Sequence, residues 1–415
     1  MVIDHGCARY LALGNLLAGV MLAMCPCVSA LDPTLDVGQY AHTAWKIREG
    51  FTKGQITSIA QAPNGYLWLG TYSGLYRFDG VRNVLWEPPP GQQLPSSGIW
   101  SLLAARDGTL WIGTDKGLAS FKDGKVTHYG ELAGIIIFTI LEIRDGEVWA
   151  GGFGIPNGRL CAIHNGNTRC SGEDGIFGLG ILCLYEDSKG NLWSGVSNGF
   201  WRWKPGPSKF YPMPGEEDSF HAFAKDDDGA LLFSTRTGIK RLIASNVEPY
   251  ALPGRLQQFR FQRMLRDRNG ALWLGTADHC VVHVHHGRID VLAQSDGLSG
   301  DSIAGLFEDR EGNIWTVTLT GLDRFREFAV ATVSVDQGLS SATVTSVLAE
   351  KDGSVLLGTV GGLDRWNAGR ISIPRTGSTK LDRKLKGDPP NSLLEDSRGR
   401  IWVYSRNADS YIPLG

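Results

Sequence analysis

Nine times along the chain a turn glycine is followed, after two intervening residues, by a large apolar residue that is usually Trp. The turn glycines are Gly65, Gly108, Gly146, Gly190, Gly229, Gly270, Gly312, Gly353 and Gly399, spaced 38 to 46 residues apart and about 42 on average. A self-similar period of that size, carried by strand-like segments, predicts a β-propeller. Such a fold is a scaffold, so function has to be argued from sites rather than from architecture.

The first repeat shows the local logic. Ile56–Gln61 reads as a strand, Pro63-Asn64-Gly65 as a turn and Tyr66–Thr71 as a second strand. Ser73-Gly74 turns again, Leu75–Phe78 is a third strand, and Val81–Trp86 follows as an outer fourth. Tyr66 to Leu69 is apolar on both alternating faces, which suits a sheet packed against neighbours on both sides. Glycine is 54 of 415 residues, and the excess sits at turns, as many short strands require. Seven of the 13 Trp residues (68, 111, 149, 193, 273, 315 and 402) occupy the repeat position, so most of the aromatic content is read as structural.

The segment Tyr40–Phe51, which leads into the first repeat, aligns with Phe328–Leu339 ahead of the eighth at an offset of 288 residues. Seven repeats intervene. The expected fold is all-β: a seven-bladed β-propeller of four-stranded antiparallel blades over residues 31–330, its last blade completed by the strand around Tyr40–Ile47. Residues 331–415 would supply two repeats of an incomplete second propeller, with Thr376–Pro390 as a polar, Pro/Lys-rich interruption. Two blades cannot close a ring and would expose strand edges. A single eight- or nine-bladed ring is the alternative.

Residues 1–30 differ from the rest. A short, weakly charged start precedes the apolar run Tyr10–Met24, and Val28-Ser29-Ala30 offers small residues where a signal peptidase cuts. A signal peptide ending at Ala30 is expected, with an uncleaved anchor as the alternative. Export leaves Cys161, Cys170, Cys183 and Cys280. Around the hairpin turn Asn165-Gly166, outward pairing sets Cys161 opposite Cys170 at a non-hydrogen-bonded pair, so a Cys161–Cys170 disulfide is expected. Cys183 and Cys280 read as buried small hydrophobes in strands. A formal net charge of −2 gives no basic footprint for nucleic acid.

Asp107–Leu118, Glu308–Trp315 and Val344–Thr359 resemble the two-component regulator propeller repeat, and the resemblance runs over about residues 38–405. It implies the extracytoplasmic sensor region of bacterial membrane histidine kinases. There, two seven-bladed propellers are commonly followed by a small β-sandwich, a transmembrane helix and a kinase core. This chain shows no second complete ring, no membrane span after the leader, no phospho-accepting His box and no ATP-binding Asn or Gly-rich box. The expected role is therefore a ligand-sensing input module of a two-component system, periplasmic after cleavage. Its partners would be a small ligand or glycan fragment and a membrane kinase portion or receptor, with a homodimer kept open. Two rivals remain: a free-standing periplasmic interaction protein complete at Gly415, and a secreted carbohydrate-active enzyme.

No catalytic, cofactor or metal residue is assigned. The repeated Asp-x-x-Gly-x-x-Trp, as in Asp187–Trp193 and Asp309–Trp315, has the wrong spacing for a sialidase Asp box, and the run Asp226-Asp-Asp-Gly229 is no calcium loop. These acids read as turn formers bonding their own backbone. His283 and His285 share one strand face, close enough for two metal ligands, with no third at metal-site spacing, and read as exposed. Phosphate-loop, Gly-x-Ser-x-Gly and His-Glu-x-x-His motifs are absent. Ligand-binding residues stay unknown; the loops Glu87–Gly91, Gly152–Pro156, Ser171–Phe177 and Gly215–Asp218 are the candidate surface.

Overall fold

The computed structural model describes residues 31, 35–204, 206–215, 222–252, 256, 259–285, 287–328, 333–367, 370–374 and 388–405, with the backbone of 409–412. The leader Met1–Ala30, most of Gly215–Asp218 and most of Thr376–Pro390 lie outside these residues. The chain divides into two compact units. One is built on residues 43–284 and 291–326; the other on 33–42, 285–290 and 327–415.

Eight four-stranded antiparallel sheets and one of three strands follow one another among the described residues, as in a β-propeller, sheets two to six lying within 99–129, 136–171, 183–212, 223–249 and 261–292. Sheet one runs Ile56–Gln61, Leu67–Thr71, Gly74–Phe78 and Asn83–Trp86, hydrogen-bonded in that order. Its second strand is buried at every residue, as the two-sided apolar pattern requires. The nine turn glycines all adopt the left-handed conformation, with φ between +76° and +89°. That conformation, which a side chain disfavours, is what holds the period in place.

A second glycine, in the Gly-Thr of the second strand, has a different task. An ideal Cβ on Gly113 would stand 2.8 Å from Ile137 of sheet three, one on Gly70 2.6 Å from Ile99 of sheet two, and one on Gly275 2.5 Å from Ile303 of sheet seven. The isoleucines are buried to 1% exposure or less. Sheets one, two and six thus offer a bare backbone patch into which the next sheet's first strand inserts an isoleucine, at the close packing typical of interiors.

A basic residue two before the turn glycine adds an outer clasp. Arg144 donates through Nη1 and Nη2 to Ser188 O and Asp187 O, both at 2.9 Å, on the next sheet. Arg106 and Arg268 reach the equivalent carbonyls of sheets three and seven. Arg310 of sheet seven makes the same reach to Pro63 O (3.0 Å) and Ala62 O of sheet one. The seventh sheet (Ile303–Glu308, Ile314–Thr318, Gly321–Arg326) therefore neighbours the first, and its outer strand is Ala41–Lys46 from the start of the chain. Trp45 of that strand packs at 5.6 Å on Trp315 and at 5.2 Å on Phe78 of sheet one.

In the second unit, sheet eight (Val344–Ala349, Val355–Thr359, Gly362–Asn367, Arg370–Ser372) packs on sheet nine (Ser392–Glu395, Ile401–Tyr404, Asp409–Ile412) through Leu356, Leu363, Leu393, Ile401 and Val403. The clasp recurs as Lys351 Nζ to Glu395 at 2.7 Å. Trp402 departs from the repeat: it is 44% exposed where Trp273 and Trp315 are 2% or less.

Gly113→Ala forces Ile137 and Ser101 to move, whereas Gly108→Ala only strains a turn with open space around it. In urea melts, Gly113→Ala is expected to lose about 1–3 kcal/mol and Gly108→Ala about 1 kcal/mol. Ile137→Ala added to Gly113→Ala should cost less than Ile137→Ala alone; additive losses would show that the two residues do not interlock.

Candidate functional site

The site is made by an irregularity that the sheets share. In the first strands of sheets one, two, three, six and seven, one residue is skipped by the pairing: Thr57, Trp100, Phe138, Gln262 and Ala304 each fall at a register shift against the second strand. A β-bulge of this kind re-aims a side chain. All five line one cavity of about 270 Å³ at the centre of the first unit, together with Leu182, Tyr72, Gln55, Arg263, Ser302 and Leu319. A second space of about 290 Å³ shares Thr57, Trp100, Phe138, Leu182, Arg263 and Ala304, so these residues form the waist between two chambers of one channel.

One mouth of the channel carries an aromatic arc. Tyr72 meets Trp100 edge-to-face at 5.1 Å, Trp100 meets Phe138 edge-to-face at 5.1 Å, and Phe138 lies 6.4 Å from Phe153. Tyr72 is 44% exposed at this rim. Because Ile56 pairs with Thr71 and Ile136 with Phe153, the starts of the first strands and the ends of the second share this face. The candidate loops therefore lie beside the arc. Gly152–Pro156 includes Phe153, and Ser171–Phe177 is tied to the residues just after that loop by Asn157 Nδ2 to Glu173 O at 3.0 Å and by an Arg159–Glu173 ion pair at 2.8 Å. Phe177 is buried against Trp203 and Trp201, while Ile155 is 85% exposed.

Across the channel from the arc, Arg263 donates from Nε to Ala304 O at 2.6 Å and from Nη1 to Gln262 O at 2.9 Å. Arg263 is half-buried and lines both spaces, and its burial pulls the guanidinium below its ordinary pKa.

The turn acids bond their own backbone, as Asp187 Oδ1 accepts from Lys189 N and Asn191 N, both at 2.9 Å. The same carboxylates also accept from the repeat indoles: Trp193 and Trp273 at 2.9 Å and Trp315 at 2.7 Å. They anchor the repeat. The histidines correct the reading from sequence. His283 and His285 are 0% and 3% exposed, not solvent-facing. His283 packs on Trp273 with ring centroids 4.2 Å apart, and His285 Nε2 lies 3.0 Å from Asp290 Oδ2.

Cys161 and Cys170 are paired in register, with Cα atoms 4.1 Å apart, and are joined as a disulfide. Cys183 lies in a first strand at the channel wall, half-buried rather than buried as its sequence suggests, and desolvation pushes its thiol up to about 12. Cys280 is buried just before the strand Val281–His285 rather than within it, with its thiol raised to about 11.

Residues 50–73 and 93–116 match the model of the two component regulator propeller family. Each match spans a lead-in with the first two strands of a sheet. No curated protein matches the chain in sequence. Among solved structures, the extracellular domain of the hybrid two component system BT3049 from B. thetaiotaomicron is similar with a TM-score of 0.63 at 18% identity, over 90% of this chain and 53% of that one. The extracellular domain of BT4673 from the same organism gives a TM-score of 0.57 at 16% identity, over 88% and 51%. The chain thus spans about half the length of these two domains. Virginiamycin B lyase from Staphylococcus aureus gives 0.56 at 14% identity, over 70% of this chain and 100% of that one. At such identities the likeness is one of fold.

Only a thiolate attacks an alkylating reagent. At about pH 8 the folded chain should therefore leave Cys183 and Cys280 unmodified, with both reacting once unfolded. Prompt labelling of Cys183 in the native state would contradict the enclosed wall. Replacing both Cys161 and Cys170 by Ser is expected to cost about 2–3 kcal/mol of unfolding free energy, from the short loop they close.

Proposed function

We propose that this chain is an extracytoplasmic ligand-sensing propeller, the input portion of a two-component system, which takes its ligand at the aromatic mouth of the central channel. The arc Tyr72–Trp100–Phe138 carries the reading. Repeat packing does not require large aromatics at the bulge position, which Thr57 and Ala304 fill equally well. A concave cavity with aromatic walls and a few polar groups is the general form of a small-molecule site. The matched propeller repeats and the fold of the two hybrid-system extracellular domains support an input role.

On this reading, the kinase chemistry lies in another part of a longer protein or in a partner. The chain itself binds and does not catalyse. A ligand changes signalling only through unequal affinity for two states. The loops Gly152–Pro156 and Ser171–Phe177, continuous with the arc, are the elements whose arrangement a bound molecule would bias.

Small metabolites and glycan fragments that bind should raise the melting temperature of the wild-type chain by linkage. Trp100→Ala should abolish the rise while leaving the unliganded melt within a few degrees; a rise retained in Trp100→Ala would place the ligand elsewhere. For localisation, the chain recovered from the periplasm of an expressing bacterium is expected to begin at Leu31, and recovery only from the cytoplasm would overturn the exported reading.

A further inference from the structure

Arg263 breaks the repeat at the channel wall. Its position in the first strand pairs with the second-strand Gly275. The equivalent pairs elsewhere are Ser58 with Gly70, Ser101 with Gly113, Thr139 with Gly151, Cys183 with Gly195, and Gly305 with Val317. Every other sheet in this series holds a small residue there, and sheet six alone holds the largest cation. The substitution is not a packing solution, since the neighbouring sheets fill the same place with a hydroxyl, a thiol or a hydrogen.

The side chain is fixed and incompletely used. Nε and Nη1 are committed to the carbonyls of Ala304 and Gln262, which leaves Nη2 as the donor group without a protein acceptor among the described residues. No carboxylate pairs with the guanidinium among those residues. The one ionisable neighbour that acts on it is the Cys183 thiol, which stays protonated. A half-buried cation with no carboxylate beside it favours an anion that can reach it. It borders both chambers of the channel, and the approximately 270 Å³ chamber that it shares with Tyr72, Trp100, Phe138, Gln55 and Gln262 has room for one ring-sized molecule.

We infer that Arg263 anchors the carboxylate of a small ring-bearing ligand whose flat face rests on the aromatic arc. The anchor rests on the reading of the channel mouth as the ligand site and narrows it to one chemical class. Nη2 would give one charge-assisted hydrogen bond to a carboxylate oxygen. The arc would take the apolar face of the ring.

The test uses the whole chain and three probes: benzoate, its neutral analogue benzyl alcohol, and inorganic sulfate, an anion with no ring. Isothermal calorimetry should show benzoate bound once per chain, with benzyl alcohol and sulfate each weaker by roughly tenfold or more. Arg263→Met should erase the preference for benzoate over benzyl alcohol, and Arg263→Lys, which keeps the charge, should retain part of it. The wild-type comparison is decisive without either variant. Equal binding of benzoate and benzyl alcohol overturns the anionic anchor while leaving the channel mouth as a binding site. Sulfate bound as well as benzoate overturns the ring requirement. Benzoate that fails to bind at all overturns the assignment of Arg263, whereas the Trp100→Ala melts report separately on the mouth itself.

Discussion

The architecture depends on one contact repeated from sheet to sheet: an isoleucine of one first strand seated against the bare backbone of the preceding sheet's glycine. Ile99 on Gly70, Ile137 on Gly113 and Ile303 on Gly275 are the same contact three times, and Ile181, just ahead of the strand Cys183–Glu186, sits on Gly151 in the same way. Close approach fixes the separation and the relative turn of adjacent sheets, because neither partner can retreat without opening a void or advance without a clash. Where the glycine is replaced, the seam is built from other parts. Sheet seven has Val317 at that position, and there the N-terminal strand contributes Trp45 beside Trp315 while Arg310 clasps the turn of sheet one.

The period could be read directly because both kinds of glycine are chemically forced. A left-handed turn and a backbone without Cβ each exclude nearly every other residue, so the turn glycine survives in all nine diverged copies and the second glycine in six of them. The hairpin at Asn165-Gly166 was legible for a related reason, since its turn fixes the register that sets Cys161 against Cys170. The Asp of each turn was readable as a turn former, but its bond to the indole six residues later was not. That contact exists only once the strand has turned back past the loop. His283 and His285 were misread because a local rule about strands near a glycine turn gives way to packing: the third strand of sheet six is covered, and Trp273 takes the imidazole face.

The channel lining was the least legible part. A bulged residue interrupts the two-residue alternation by which strands are recognised, so Trp100 and Phe138 look like ordinary strand aromatics among many. Their role emerges only when the copies are superposed and the skipped residue is seen at the same place in each. Arg263 is then conspicuous against Ser58, Ser101, Thr139 and Cys183, although in the linear sequence it is one arginine among a well-charged run.

The bulge has a consequence for how such a molecule can change. A residue left out of the ladder contributes no pair to the register of its own sheet. Its identity can drift from Thr to Trp to Gln while the mechanics of the ring stay constant. The interior surface is thereby uncoupled from the frame that holds it, much as the interchangeable bits of a drill share one chuck. Diversification of what the lumen recognises then proceeds by single substitutions at one phase of the repeat, without compensating changes elsewhere in the wall.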